Sequence, residues 1–258
     1  MGFLLAALLL ASTAYARDIK CAPGLQIFVA RGTNEPPGPG ASGLLAEAVV
    51  DKIPGSAFEA IDYPASDEDP VYFDSVRNGT DAVRQSLIDY SGACPDGKIS
   101  LFGYSQGAQV TANALSGTTI AWSPYPESLK NLDSLDARIT KNIVAVALFG
   151  DPTLSPNAKY RKGTADVNRQ GIFHRQDPSG LDALGDRLVS YCDTGDVFCD
   201  AGSDPNIPAH LHYLENYSTE ILDFIVRQYE GGAPDSSPSA TPGDAQSGAM
   251  RRARVPGW

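Results

Sequence analysis

Ser105 has the sequence context of an activated nucleophile. It lies in Gly103-Tyr-Ser-Gln-Gly107, directly after the apolar run 99–102 and before a helix-like pattern. A strand that turns sharply into a helix at a serine is a nucleophile elbow, which lifts the hydroxyl clear of a parallel sheet. Glycines two residues before and two after the serine allow the close backbone approach that such a turn needs. The pattern by itself also fits an ordinary turn between a strand and a helix.

An elbow serine needs a histidine base and an acid that orients it, because a serine hydroxyl is a poor nucleophile. The chain has three histidines, at positions 174, 210 and 212. After an elbow serine, the acid comes next in the chain and the base last. The candidate acid, Asp196, precedes His210 and His212 but follows His174. This order leaves His210 and His212 as candidate bases and excludes His174, which we expect to lie in a loop on the substrate side.

The candidate acid lies between two cysteines. Cys192 and Cys199 are seven residues apart and can close a loop around Asp196, holding its carboxylate where an imidazole can reach it. Asp193 and Asp200 are competing acids in the same region. Asp193 directly follows a cysteine and Asp200 lies outside the loop, so we expect both to be solvated loop charges.

The four cysteines allow three pairings. Proximity pairs Cys192 with Cys199 and leaves Cys21 to join Cys94, which would tie the N-terminal segment to the strand before Ser105. A zinc site made by all four cysteines would need close Cys-x-x-Cys pairs, and the sequence has none. It also has no metal-ligand cluster and no phosphate-binding glycine loop, so we expect neither a metal nor an organic cofactor.

The length and composition predict one secreted domain. The chain has 258 residues, 42% of them hydrophobic, which is enough for a single substantial core. Residues 1–16 are apolar, end in Ala-Tyr-Ala and read as a signal peptide without a basic residue; a buried core helix is the alternative. They are too short to span a bilayer, so we expect no integral membrane association. The catalytic domain should cover 17–230, and the Ser-, Pro- and Gly-rich segment 231–258 should be a disordered tail.

The overall charge excludes some classes of partner. The formal net charge of −11 disfavours binding of nucleic acid or anionic lipid through bulk electrostatics. Two sequons, at Asn78 and Asn216, are candidate glycosylation sites. The position of Asn216 close to the candidate histidines makes a glycan there less expected than at Asn78.

Strand-like and helix-like segments alternate along the chain. The predicted strands are 25–30, 58–63, 99–102, 143–149 and 187–191, and the predicted helices are 44–52, 71–90, 107–115 and 214–228. This alternation predicts an α/β fold with a parallel sheet covered by helices on both faces.

Five motifs, in this order, resemble the cutinase and acetylxylan esterase family of secreted serine esterases. They are Ala30-Arg-Gly-Thr-Asn-Glu-Pro-Pro-Gly38, Asp62-Tyr-Pro64, Gly103-Tyr-Ser-Gln-Gly107, Cys192-Asp-Thr-Gly-Asp-Val-Phe-Cys199 and His210-Leu-His-Tyr213. The resemblance extends from about Cys21 to about Tyr229. It implies an α/β-hydrolase-like three-layer sandwich with about five parallel strands and no lid. It also implies the two disulfides, Cys21–Cys94 and Cys192–Cys199.

The same resemblance implies roles for the site residues. Ser105 would be the nucleophile, Asp196 the acid and His210 the base, while His212 would occupy a variable surface position. Gln106, the residue after the nucleophile, would donate its backbone N–H to an oxyanion hole. Thr33 would supply the second N–H, although serine is common at this position in the family. The implied partner is an ester substrate, and we expect a monomer.

The substrate is less well determined by the sequence. The turn from Arg31 to Glu35 and the segment from Pro208 to Tyr213 are more like cutinases, which cleave aliphatic polyesters. The loop Pro36-Pro-Gly38 and the segment from Phe149 to Pro152 are more like acetylxylan esterases. An insertion at 116–142 could wall the pocket or form a surface loop. We expect a cutinase-type carboxylesterase, with acetylxylan esterase as the alternative and a catalytically inactive binding module as a distant third.

Overall fold

The computed structural model describes residues 18–68, 70–117 and 135–231. The expected signal peptide, 1–16, and residues 232–258 of the expected tail lie outside these ranges. So do residues 118–134 of the expected insertion, on which the prediction of an absent lid also depends.

The core of the domain is a parallel sheet in the order β2-β1-β3-β4-β6-β5. Its strands are β1 (Leu25–Ala30), β2 (Ala57–Ala60), β3 (Lys98–Tyr104), β4 (Ile143–Phe149), β5 (Arg161–Lys162) and β6 (Leu188–Tyr191). The sequence predicted about five strands, and the described residues form a sheet of six. The additional strand, β5, is only two residues long, so it has no alternation that a sequence pattern could reveal.

One predicted strand is shorter than expected. Strand β2 ends at Ala60 rather than at residue 63. The N–H of Ile61 still donates to the carbonyl of Val29, at 2.8 Å, and the chain then leaves the sheet towards Pro64. Beyond the strand, the carbonyls of Ile61 and Tyr63 accept from the guanidinium of Arg31.

Helices cover both faces of the sheet. They are α1 (Gly43–Lys52), α2 (Tyr72–Ala93), α3 (Gln106–Ser116), α4 (Ala137–Thr140), α5 (Ser179–Asp182), a 3-10 turn (Gly185–Arg187), α6 (Ile207–Leu211) and α7 (Tyr213–Tyr229). Along β1, Ile27 and Val29 lie in one core cluster with residues of α1 and α7. Phe28 and Ala30 lie in the opposite cluster with residues of α2 and α3. This alternation arises because successive strand residues point to opposite faces of the sheet.

The order of the strands brings the ends of β1 and β3 together. The chain runs from β1 outward to β2 and then returns past β1 to form β3. In open α/β sheets, ligands bind beyond the carboxyl ends of the strands where the direction of winding reverses. Ala30 is the register partner of Gly103 at these ends. The loop that begins at Arg31 and the turn that holds Ser105 are therefore neighbours.

Two disulfides form with the predicted pairing. Cys21 bonds Cys94, so the N-terminal segment is tied to the end of α2, and Cys192 bonds Cys199. Both sequon asparagines are exposed, Asn78 on α2 and Asn216 on α7. Among the helices of the described ranges, none has the length and apolar character that crossing a bilayer requires.

Candidate active site

The turn between β3 and α3 holds Ser105 in a conformation that few non-glycine residues adopt. Its φ is 54° and its ψ is −118°, and its N–H donates to the carbonyl of Phe149 at 2.8 Å. Strained backbone of this kind persists only when the surrounding structure enforces it, and it is concentrated at functional sites. The two glycines have the predicted purpose. A Cβ on Gly103 would lie 2.6 Å from the carbonyl oxygen of Gly107, and one on Gly107 would lie 2.0 Å from that of Ala30.

His210 connects the serine to the acid. Its Nε2 lies 2.9 Å from Oγ of Ser105, and its Nδ1 lies 2.8 Å from Oδ2 of Asp196. His210 lies on α6 and is buried. Its ring centroid is 4.6 Å from that of Phe198 and 5.2 Å from that of Tyr104. These contacts fix the ring in the plane that reaches both partners.

Two backbone features hold the segment of His210 in place. The hydroxyl of Tyr104 donates to the carbonyl of His210 at 3.0 Å. Gly150 follows β4 with a φ of 59°, and a Cβ there would lie 2.7 Å from Cε1 of the imidazole. A glycine at 150 therefore satisfies both the turn and the space that His210 occupies.

Asp196 is fully buried and surrounded by donors. Its Oδ2 accepts hydrogen bonds from His210 and from the hydroxyl of Tyr213, and its Oδ1 accepts one from the N–H of Phe198 at 3.0 Å. Burial alone would raise the pKa of Asp196. The hydrogen bond and charge of His210, together with the other two donors, outweigh burial and lower that pKa. The carboxylate therefore stays ionised beside the imidazole.

The competing acids lie elsewhere, and the expectation that they are solvated was wrong. Asp193 and Asp200 are only 7% and 2% exposed. Oδ1 of Asp193 accepts from the N–H of Thr164 at 3.0 Å and from the hydroxyl of Tyr217 at 2.6 Å. Oδ2 of Asp200 accepts from the N–H of Gly195 at 3.0 Å. Asp200 thus satisfies a buried backbone donor of the loop that carries Asp196, and Asp193 ties the same loop to Thr164 and Tyr217.

The other two histidines are not next to the serine. His212, two residues after His210, is at a helix junction with its side chain 47% exposed and 4.0 Å from Glu215. His174 lies half-buried in the segment between β5 and α5. Of the two histidines that the order of residues allows as the base, the structure brings His210 to Ser105.

Gln106 and Thr33 meet beside the serine. The amide Nε2 of Gln106 lies 3.3 Å from Oγ1 of Thr33 and 3.1 Å from the carbonyl oxygen of Ser66, and it donates to both. Its Oε1 accepts from the hydroxyl of Ser75 at 2.7 Å. One buried amide therefore joins the start of α3 to the loop after β1 and to the start of α2.

The loop after β1 is held by two residues whose role the sequence did not reveal. Arg31 is 4% exposed, and its Nη2 donates to the carbonyl of Tyr63 at 2.6 Å. The carboxylate of Glu35 accepts from the N–H of Gly32 at 2.6 Å and from that of Ala41 at 2.7 Å. An arginine and a glutamate that bracket the turn Gly32-Thr-Asn34 directly after a strand were the available signal. They fix the backbone on either side of Thr33.

Another buried carboxyl group lies directly after Gly150. Asp151 is fully buried, and its Oδ1 accepts from the N–H of Thr153 at 2.8 Å. Arg175, 1% exposed, donates from Nη2 to Oγ1 of Thr153 at 2.9 Å. Burial raises the pKa of Asp151, although the charge of Arg175 and the bonds to Thr153 oppose the increase.

Comparison with known proteins identifies the family of this chain. The chain matches the family model described as Cutinase over residues 21–229. An acetylxylan esterase of Hypocrea jecorina is 33% identical over 228 residues, covering 85% of this chain and 72% of the relative. Cutinase 11 of Verticillium dahliae is 32% identical over 243 residues, covering 92% of this chain and 79% of the relative.

A solved structure has the same architecture. The catalytic core domain of acetyl xylan esterase from Trichoderma reesei superposes with a TM-score of 0.69 at 33% identity, covering 80% of this chain and 99% of that structure. The family match includes every residue described around Ser105. The chain therefore belongs to the cutinase family and is a carboxylic ester hydrolase.

Proposed function

We propose that this protein is a secreted serine esterase that cleaves cutin-like aliphatic polyesters or soluble short- and medium-chain esters through an acyl-enzyme on Ser105. The observation that carries the proposal is the continuous line of hydrogen bonds from Ser105 Oγ through His210 to the buried carboxylate of Asp196. A hydroxyl in this arrangement can lose its proton at the moment it attacks.

The first half of the reaction forms the acyl-enzyme. Oγ of Ser105 bonds to the ester carbonyl carbon while Nε2 of His210 takes the hydroxyl proton. Asp196 accepts a hydrogen bond from Nδ1–H of His210 and stabilises the imidazolium that results. When the tetrahedral intermediate collapses, the bond from the carbonyl carbon to the alcohol oxygen breaks. His210 then gives its proton to the departing alcohol.

The second half releases the acid. A water molecule gives a proton to Nε2 of His210 and bonds to the acyl carbon. The bond from that carbon to Oγ of Ser105 then breaks, and the serine recovers its proton from the imidazolium. The product is a carboxylic acid, and the protein returns to its initial state.

The negative charge on the carbonyl oxygen needs donors that are already in place. We assign these to the backbone N–H groups of Gln106 and Thr33. Helix α3 begins at Gln106, so its N-terminal dipole also favours negative charge at this point. The side chain of Gln106 supports the assignment, because it fixes the distance between the two donor segments. Donors of this kind are worth about 10²–10³ in rate each.

Exposed apolar side chains support an aliphatic substrate. Ile207 and Leu211, on the same helix as His210, are 54% and 62% exposed, and Phe198 beside the imidazole is 36% exposed. An apolar rim around a catalytic serine can bury the methylene groups of an acyl chain, at about 0.8 kcal/mol for each. An acetyl group has no methylene groups to bury in this way.

Acetylxylan esterase is the second candidate. It is favoured by the relative from Hypocrea jecorina and by the superposed catalytic core from Trichoderma reesei, both of which bear that name. Secretion is also part of the proposal. It is supported by the apolar segment 1–16 and by the two disulfides, which persist in an oxidising environment.

A chain-length series tests the proposal. The wild-type protein and Ser105→Ala are assayed side by side on p-nitrophenyl esters from acetate to hexadecanoate, and then on a polyester film and on acetylated xylan. Activity that peaks at butyrate or longer, together with acid release from the film, is the expected result. Activity confined to acetate and acetylated xylan would favour the second candidate. If wild type were no faster than Ser105→Ala on every substrate, the assignment of Ser105 as the nucleophile would be wrong.

A further inference from the structure

The hydroxyl of Tyr213 and the imidazole of His210, the base of the proposed triad, form hydrogen bonds to the same oxygen atom. Tyr213 is the first residue of α7 and donates a hydrogen bond to Oδ2 of Asp196. That oxygen is also the acceptor for Nδ1 of His210, at 2.8 Å. The phenol and the imidazole therefore both interact with the negative charge of the Asp196 carboxylate.

The direction of the phenol proton is fixed by its surroundings. The N–H of Asp193 donates to the Tyr213 oxygen at 3.1 Å, so the single hydroxyl proton must point to another acceptor. Two groups are within reach, the Asp196 carboxylate and Sγ of Cys199 at 3.4 Å. A carboxylate is a far stronger acceptor than a disulfide sulfur. The proton therefore points to Asp196.

The surroundings of the phenol favour its protonated form, which is the form that donates. Tyr213 is 1% exposed, and its ring contacts Phe149 and the edge of the His210 imidazole. Burial, and next the negative charge of Asp196, raise the pKa of Tyr213 far above its ordinary value.

We propose that Tyr213 is a positioning residue that sets how strongly Asp196 stabilises the imidazolium of His210. The inference rests on the proposed catalytic roles of Ser105, His210 and Asp196. By donating to Oδ2, the phenol holds the carboxylate in the plane of the imidazole and withdraws part of its negative charge. The resulting imidazolium is stable enough to form during attack and acidic enough to protonate the leaving alcohol.

The other ionisable groups around this pair are few in the described part of the chain. Tyr104 faces His210 from β3, and Asp193 faces Tyr213 from the loop after β6. Tyr217, one turn along α7, donates a hydrogen bond to Asp193. Within the described residues it has no hydrogen bond to Asp196. On the exposed side, Glu215 lies beside His212 rather than beside His210.

The test is the pH profile of Tyr213→Phe. Without the phenol, Asp196 has more charge to offer the imidazolium, so the base becomes protonated at a higher pH. The acid limb of the kcat/KM profile should move up by roughly half a pH unit or more. At the plateau, kcat should fall by no more than about tenfold, because all three triad atoms remain.

Tyr217→Phe is the matched control. It removes a tyrosine hydroxyl from the same helix and the same aromatic cluster, and its acid limb should coincide with that of wild type. A second variant should shift the acid limb in the opposite direction. Incorporation of 3-fluorotyrosine at position 213 keeps the shape of the side chain and makes the phenol a stronger donor, so the acid limb should move down. It also covers the case in which Tyr213→Phe does not fold.

Two results would overturn the inference. One is an acid limb that stays at the wild-type position when either replacement is made at 213. The other is an equal shift in Tyr217→Phe, which would indicate a general effect of the cluster. Neither would affect the proposed function, which is tested separately by the loss of activity in Ser105→Ala.

Discussion

Gly107 lies so close to Ala30 that a Cβ on the glycine would be 2.0 Å from the alanine carbonyl oxygen. This contact seats the first turn of α3 on the end of β1. It brings the N-terminal end of α3 next to the loop that carries Thr33, so the two proposed oxyanion donors depend on it. The predicted turn glycine is therefore also a spacer between two parts of the site.

Gly107→Ala should separate these two parts. Its methyl group meets backbone, which cannot rotate away, so the helix or the end of β1 must shift. Overpacking of this kind typically costs about 1–3 kcal/mol. We expect a lower melting temperature and a kcat/KM reduced at least about 100-fold, since small displacements at a reacting centre have effects of this size.

Gly92→Ala is the control for Gly107→Ala. Gly92 lies near the end of α2, and a Cβ there would have nothing within 4 Å. Alanine in a helix is favoured over glycine by up to about 1 kcal/mol. The control should therefore keep full activity with an equal or higher melting temperature. Unaltered kinetics in Gly107→Ala would show that the contact is not needed for the site.

The two neighbouring histidines should respond very differently to substitution. His210→Ala removes the imidazole that contacts Ser105 and Asp196, and kcat should fall by about 10⁴ or more. His212→Ala removes a side chain that is 47% exposed, and kcat/KM should stay within about threefold of wild type. Steady-state kinetics on one soluble ester distinguishes them. A large loss in His212→Ala would point to a substrate contact at this position.

The sequence was more informative about the candidate site than about its surroundings, for physical reasons. Ser105 and Asp196 could be singled out as candidates because strained elbows and cysteine-closed loops have local signatures. The burial of Asp193 and Asp200 could not be predicted, because a polar loop sequence indicates exposure to solvent. Whether such a loop is buried depends on the segments that pack against it. Tyr213 was visible only as an aromatic after His210. The partner of its hydroxyl depends on how α7 docks against the acid loop.

The two disulfides should differ in whether their loss affects stability or activity more. In the chain-entropy account, the longer loop, closed by Cys21 and Cys94 over 73 residues, contributes about 4 kcal/mol. The shorter one, between Cys192 and Cys199 over 7 residues, contributes about 2–3 kcal/mol.

Double serine variants of each disulfide test this contrast. Loss of Cys21–Cys94 should lower the free energy of unfolding more, while kcat stays close to wild type. Loss of Cys192–Cys199 should lower kcat more, because Asp196 lies in the loop that this bond closes. Urea unfolding and kinetics on the same samples provide both quantities. The prediction is wrong if one variant has the larger loss in both.

Asp151 should make the stability of the fold depend on pH. Because burial raises its pKa in the folded state, the protonated form is favoured there. The stabilisation is complete below the pKa of the unfolded chain, about 4, and is lost as the pH rises through the higher folded value. The melting temperature of wild type minus that of Asp151→Asn should therefore decrease from pH 4 to pH 7.5.

Asp136→Asn is the control for this pH dependence. Asp136 is exposed, and its hydrogen bonds with Arg138 lower its pKa to about 2. Its contribution is present above the unfolded pKa and lost only as the pH falls towards 2. The difference between wild type and Asp136→Asn should be flat from pH 5 to 7.5. An equally flat difference for Asp151→Asn would mean that its carboxyl does not titrate in this range.

The hydroxyl of Thr33 should contribute to catalysis in addition to its backbone. Its Oγ1 accepts the amide proton of Gln106 at 3.3 Å, which leaves its own proton to be donated to a substrate oxygen. Thr33→Val keeps the shape of the side chain and removes that donor, and Gln106 still has the Ser66 carbonyl as an acceptor. We expect kcat to fall about 10²-fold with little change in KM, because the lost bond strengthens only in the transition state. Thr33→Ser restores the hydroxyl and should restore kcat, whereas a Thr33→Val variant with wild-type kcat would leave the backbone N–H as the sole contribution of this residue.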